Sequence, residues 1–118
     1  MAGAQRKSLE QPDESRPVEK GKVDVVRVGG ETAARLTLEP GWRWSECIKP
    51  VAQTETCQVE HVGYVVSGTL HAEHEDGTTG DVTAGDVYRI APGHEAWVVG
   101  DEPYVGIDVT GSDFAKSN

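Results

Sequence analysis

Two cysteines and four histidines carry the donor atoms of this chain suited to a soft or borderline metal, and four of these residues fall where strands can bring them together: Cys47, Cys57, His61 and His94. From Cys57 to Gly68 the sequence reads CQVEHVGYVVSG, in which Val62, Tyr64 and Val66 alternate with His61, Gly63, Val65 and Ser67. Period-two alternation rich in β-branched and aromatic residues marks a strand, so His61 points to the face opposite Tyr64, and Cys57 shares the parity of His61. After the Pro92-Gly93 turn, His94, Ala96 and Val98 share one face of a second strand. Thiolate and imidazole together favour zinc first, then iron or copper, over magnesium. A histidine such as His61 also serves as a proton carrier near neutral pH. Plainer roles stand beside these: an interior hydrogen-bonded histidine at 61, a turn-capping histidine at 94, and buried cysteines acting as small apolar residues.

A ligand-binding surface has its own candidates. Trp42, Trp44, Tyr64, Tyr88, Trp97 and Tyr104 form a large aromatic set for a chain with one Phe and one Met. Some of them must be core. Trp44, Tyr64 and Trp97 are the candidates for flat walls around an organic ligand, and Lys49 or Arg89 for holding its carboxylate. Glu55 offers a carboxylate from a loop-like stretch, while His71 and His74 flank a hairpin as rim residues. The chain contains no phosphate-cradling glycine loop, nucleophile elbow, CxxC pair or nucleotide motif. Ser67 has no neighbouring base to activate it.

The elements that must position these groups are short strands. Lys22–Val28 and Thr32–Leu38 flank a Gly29-Gly30 hairpin turn, and Pro40-Gly41 ends the second. Trp42–Pro50 reads as a third extended segment, with a polar loop from Val51 to Thr56. Beyond Gly68, the segment TLHAEHE meets the hairpin signal Asp76-Gly77; Val87–Ile90, His94–Val99 and Tyr104–Val109 complete the set. Residues 1–21 hold almost nothing apolar and are expected as a disordered arm or one swapped onto a neighbour. Residues 22–110 form the domain and 111–118 a polar tail. No helical period persists and no repeat is present, so the fold class is all-β, a barrel or sandwich.

The glycines carry a family resemblance. The pair of stretches around Gly68 and around Gly85 and Gly93 resembles the two motifs of the cupin superfamily, and PGHEAWVVGDEP, from Pro92 to Pro103, is similar to a subgroup of short single-barrel cupins. The likeness runs from Gly29 to Val109. It implies a double-stranded β-helix, the cupin jelly-roll barrel, with a site inside its mouth. The family's metal letters are replaced. Counting back from Gly68 puts the family's Glu on His61 and its His-x-His on Glu55 and Cys57; counting forward from Gly41 puts the His-x-His on Cys47 and Lys49. The last His falls on Ala96, two residues beyond His94 on the same face. Because small cupins pair barrel to barrel, the resemblance also implies a homodimer.

Composition narrows the function. The chain of 118 residues, 36% hydrophobic, holds one modest core, and its fourteen glycines and six prolines suit tight turns between strands. A net charge of -9 opposes binding to nucleic acid or to an anionic membrane. With two cysteines and no apolar run long enough for a signal or a span, a cytoplasmic protein is expected. Two functions remain open: a small-molecule-binding barrel with room for one divalent metal, and a metal-dependent enzyme of oxygenase or isomerase type acting on a small organic acid.

Overall fold

The computed structural model describes residues 3–109. Among the described residues nine strands form two antiparallel sheets. In chain order they are β1 (Glu14–Val18), β2 (Gly21–Val28), β3 (Glu31–Leu38), β4 (His61–Ser67), β5 (Thr69–His74), β6 (Thr79–Thr83), β7 (Val87–Ile90), β8 (His94–Val99) and β9 (Tyr104–Asp108). The larger sheet runs β1-β2-β3-β9-β4-β7 and the smaller β6-β5-β8, so the all-β expectation holds. Among the described residues no helix is long and apolar enough to cross a membrane.

Alternation decides which side chains go inside. Residues in register across antiparallel strands share a face, and the inner rows are Ala34, Leu36 and Leu38 against Asp108, Gly106 and Tyr104, then Gly63 and Val65 on β4, then Tyr88 and Ile90 on β7. On the smaller sheet Leu70, Ala72 and His74 pair with Val98, Ala96 and His94. These two inner faces build the main core, which also takes in Trp42, Trp44, Cys47 and Cys57. Val23, Val25 and Ala34 form a smaller cluster under the β2-β3 hairpin, whose turn has both Gly29 and Gly30 at positive φ.

Two segments differ from the sequence reading. Within the expected N-terminal arm, Glu14–Val18 pairs with β2 of its own chain, from Glu14 opposite Val25 to Val18 opposite Gly21. Its strand is held by polar groups rather than by apolar content: Ser15 Oγ donates to Asp24 at 2.6 Å, Arg27 Nη2 donates to Glu14 at 3.0 Å, and the Asp13 carboxylate accepts from the Arg27 amide at 2.7 Å. Trp42–Pro50 is not extended. Short helices α1 (Trp44–Cys47) and α2 (Lys49–Ala52) occupy it and take the first residues of the expected loop. Trp44 and Cys47 are three apart and both buried on one helical turn. Pro50 sits where a first-turn proline loses no helical hydrogen bond, and Gln53 ends α2 in the left-handed region at φ 61°.

Candidate metal centre

Cys57, His61 and His94 come together at one end of the barrel, their ligand atoms all within 4.8 Å of one another. Three local features bring them there. His61 opens β4 with inward parity, opposite Ile90 of β7. His94 opens β8, in register with His74 of β5. Cys57, short of any strand, is tied to β8 by backbone bonds: its amide donates to the His94 carbonyl at 2.8 Å, and its own carbonyl accepts from Gly93 at 2.7 Å. Cys57 and His94 are buried, at 7% and 3% exposure. The His61 side chain, at 14%, keeps some contact with solvent.

The ring nitrogens are sorted by their second partners. His61 Nδ1 lies 2.7 Å from Asp108 Oδ2, while its Nε2 faces Cys57 Sγ at 3.7 Å. His94 Nδ1 donates to the Ala91 carbonyl at 2.7 Å, and His74 Nε2 reaches the same carbonyl at 3.1 Å. In both ligand histidines Nδ1–H is therefore spent on the protein, which leaves Nε2 to bind a metal. Asp108 is itself anchored, its other oxygen accepting from the Tyr88 hydroxyl. Tyr88 and Asp108 sit on the strands either side of Gly63, each in register with it. A Cβ at 63 would lie 2.7 Å from the Tyr88 oxygen and 2.0 Å from the Ile107 carbonyl, so the missing side chain is the space across which the two meet.

Electrostatics follow from this chain of contacts. Burial alone would raise the Cys57 thiol, but hydrogen bonds from His61 and His94 outweigh it and bring it down from 9.0 to about 6. Burial would lower His61, yet the Asp108 carboxylate and the Cys57 thiolate carry it up to about 10. Without an ion the pair is thus a thiolate and an imidazolium. Burial and the neighbouring Asp108 charge push Tyr88 far above the usual phenol range, so it stays a donor.

The donor set fits a divalent transition ion. Tetrahedral zinc with bonds of about 2.0–2.3 Å spaces its donors roughly 3.3–3.8 Å apart. The Cys57–His61 pair already has that spacing. Three protein ligands leave a fourth position for solvent or a ligand, the pattern of catalytic rather than structural zinc sites.

The other sequence candidates lie elsewhere. Cys47 is buried in the core on α1 and is not one of the converging group. Trp44 is core at 4% exposure, and Tyr64, at 47%, lies on the outer face of β4 as its parity against His61 requires. Trp97 is on the outer face of β8, stacked under Arg43 at 4.0 Å and beside His71. Lys49 pairs with Glu55, whose side chain is 91% exposed. Arg89 is on the outer side of β7, held by Glu60 at 2.7 Å. Of the two counting frames, the one from Gly68 is therefore the frame that sets residues in the barrel, through Cys57 and His61. His94 supplies the imidazole that Ala96 lacks. Asp108 and Tyr88 were missed, although one signal was present: in YVGIDV an acid occupies the inward parity of Tyr104 and Gly106.

Comparison with known proteins agrees with the architecture. No protein-family model and no curated protein matches the sequence. Among solved structures, oxalate decarboxylase from Bacillus subtilis superposes with a TM-score of 0.57 at 26% identity, over 86% of this chain and 28% of that one. A cupin-like protein from Thermotoga maritima matches with a TM-score of 0.53 at 18% identity, over 76% of this chain and 67% of that one. The chain has the fold of a cupin-like barrel. A formate complex of Lactobacillus farciminis oxalate decarboxylase also matches, with a TM-score of 0.55 and 21% identity, over 81% of this chain and 30% of that one. This chain therefore spans under a third of the decarboxylases it resembles.

Proposed function

We propose that this cupin barrel binds one divalent transition metal, zinc first and iron or copper next, through Cys57, His61 and His94, and that it presents the metal's open position to a small molecule. The observation that carries the reading is the convergence of one sulfur and two imidazoles whose outer nitrogens are committed to Asp108 and to the Ala91 carbonyl. Such outer partners orient ligand rings and raise their basicity. Bound there, the metal supplies a Lewis acid for an oxygen of the small molecule. The chain's own part is to fix the two rings, to exclude bulk water around Cys57 and His94, and to hold the Asp108 carboxylate against His61. Elemental analysis of protein purified without a histidine tag tests this. About one equivalent is expected, and failure to retain zinc, iron or copper even after incubation with each would overturn it.

A metal-dependent enzyme acting on a small organic acid is the second reading. It is favoured by the three-ligand count, which leaves a reaction position, and by the likeness to oxalate decarboxylases. Turnover of small carboxylic acids by the metal-loaded protein separates the two.

The expected homodimer gains a specific surface. Tyr64, Val66, Val87 and Val109 are exposed at 47%, 50%, 79% and 55%, and Val62 and Ile107 lie beside them on the outer face of the larger sheet. We propose that a second copy covers this face in the cytoplasm. Light scattering should report a dimer that Tyr64→Asp dissociates; a monomeric wild type would remove the proposal.

A further inference from the structure

The two sheets leave a seam. β6 ends the smaller sheet and β7 ends the larger one. Consecutive in the chain, they are joined near the turn at Gly85 and Asp86, which is tied to Val65 by bonds of 2.9 Å in each direction. Toward their other ends a cleft of about 210 Å³ opens, its lining including Ala72, His74, Gly80, Val82, Arg89 and Ile90. Several of these are interior residues seen from the side. Ala72 and His74 belong to the inner row of β5, Gly80 is in register with Ala72, and Ile90 is the partner of His61.

The inner wall of the cleft is therefore next to the metal ligands. The His74 ring lies 5.7 Å from the His94 ring and shares the Ala91 carbonyl with it. Ile90 stands beside His61 across one strand pair. At about 30 Å³ per water, the cleft holds roughly seven waters, room for a ligand of about six to ten non-hydrogen atoms. At the lip, Arg89 gives Nε and Nη2 to Glu60 at 2.7 and 2.6 Å, which leaves Nη1 for a ligand. The acid on the opposite lip, Asp81, is matched by His71 at 2.5 Å.

We propose that this seam is the chamber and entry route for the ligand of the Cys57, His61 and His94 centre, and that the ligand is a small organic acid met at the lip by Arg89. The ligand's destination rests on the metal reading above, since a dication facing a single thiolate stays positive and draws an anionic donor. The route itself does not depend on the metal.

Alkylation of the metal-free protein tests the route. Iodoacetate is a small organic acid; the Cys57 sulfur displaces iodide, forming an S–C bond as the C–I electron pair leaves with iodine. Labelling of Cys57 is followed by mass spectrometry, with iodoacetamide as the neutral comparison. A Cβ at Gly80 meets nothing within 4 Å, at a backbone angle open to any residue, so side chains can be grown there into the cleft. Gly80→Ala should label near the wild-type rate, Gly80→Leu more slowly, and Gly80→Phe about tenfold more slowly or less, because access governs thiol reactions. Arg89→Ala should lower the iodoacetate-to-iodoacetamide rate ratio about threefold, the scale of an exposed charge interaction.

Equal rates across the Gly80 series would overturn the seam as the route. The Ala-to-Leu step decides even if the Phe variant folds poorly. An unchanged ratio in Arg89→Ala would overturn the acid as the ligand class. Zinc is the separate control: if it fails to protect Cys57 while the Gly80 gradient persists, the metal centre falls and the seam stands.

Discussion

Asp24 and Asp108 are buried to nearly the same degree, at 2% and 1% exposure, and the chain uses them in opposite ways. Asp24 lies on the outer side of β2. It accepts from Ser15 Oγ at 2.6 Å and Arg35 Nη2 at 3.0 Å, with Lys22 at 3.6 Å, and Arg35 goes on to Glu10 and the Leu9 carbonyl. Apart from Lys22, which shares β2 with Asp24, every branch ends on the N-terminal segment or on a neighbouring strand. That network closes on itself and fastens β1 and the residues before it to the barrel. Asp108, on the inner side of β9, starts a line that does not close: Tyr88 on one oxygen, His61 on the other, and from His61 to Cys57 and His94. Burial of a charge is thus common to structure and chemistry. The difference is whether the chain of hydrogen bonds ends in a charge-matched surface network or in three potential ligand groups whose donor atoms lie within 4.8 Å of one another.

The largest effect expected from breaking this comparison is on the three ligand groups themselves. Cys57→Ala or His61→Ala should abolish measurable zinc binding by calorimetry, since a three-ligand site rarely survives the loss of one donor. Asp24→Ala should leave zinc binding unchanged yet destabilise the fold by about 3 kcal/mol, because Arg35 loses its buried partner. Urea unfolding measures the second. If Asp24→Ala weakens zinc binding as strongly as His61→Ala does, the two networks are not distinct.

A smaller effect is expected one step out. Asp108→Asn keeps the shape but gives up the charge that orients His61, and zinc affinity should fall about tenfold to a hundredfold. Tyr88→Phe, which only frees one Asp108 oxygen, should cost less than Asp108→Asn. A cobalt-substituted protein makes the distinction visible, because ligand-field bands report a changed site while circular dichroism reports an intact barrel. Equal affinity in wild type and Asp108→Asn would make Asp108 a structural residue like Asp24.

How far the sequence could lead differs between the two networks. Alternation set His61 and Tyr64 on opposite faces, since the side-chain period of a strand admits no other answer. It did not say which face was the inner one, and Tyr64, expected as a wall of the site, faces outward. The glycine frame located the barrel. What the pattern could not convey was any contact made across the sequence: the Cys57–His94 bridge, or the meeting of Tyr88 and Asp108 over Gly63, depends on register between strands distant in the chain. Trp44 and Cys47 show a different ambiguity. In a short segment, spacings of two and of three are both present, and Pro50 with the left-handed Gln53 settled it as helix. Asp24 was invisible for a third reason. On an outer face it reads as solvated, and only the polar segment before β2 buries it.

The Cys57–His61 pair sharpens the comparison through pH. The thiol is depressed to about 6 from 9.0, so its contribution to stability is complete above 9.0 and is lost as pH falls through about 6. His61 is raised from 6.5 to about 10, so its contribution is complete below 6.5 and is lost as pH rises through about 10. Both members are charged between about 6 and about 10. The ultraviolet absorbance of the thiolate in metal-free protein, taken as the difference from Cys57→Ala, should therefore rise with a midpoint near 6. In Asp108→Asn the midpoint should move upward, toward that of an ordinary thiol. A wild-type midpoint at 9.0 would show that no ion pair forms.

The smallest effect belongs to the closed network. Burial alone would raise the Asp24 carboxyl, but the bonds from Ser15 and Arg35 and the charge of Lys22 outweigh it and hold the group below its ordinary 3.8. A depressed carboxyl stabilises the fold fully above its unfolded value, and that contribution disappears as pH falls through the folded one. The stability gap between wild type and Asp24→Asn should accordingly be constant from neutral pH down to the region of 3.8 and shrink below it. Urea midpoints across an acid series read this directly. A gap that stays the same at the lowest pH would mean that shape and hydrogen bonding, rather than charge, fasten the N-terminal segment, and Asp24 would then differ from Asp108 in kind as well as in connection.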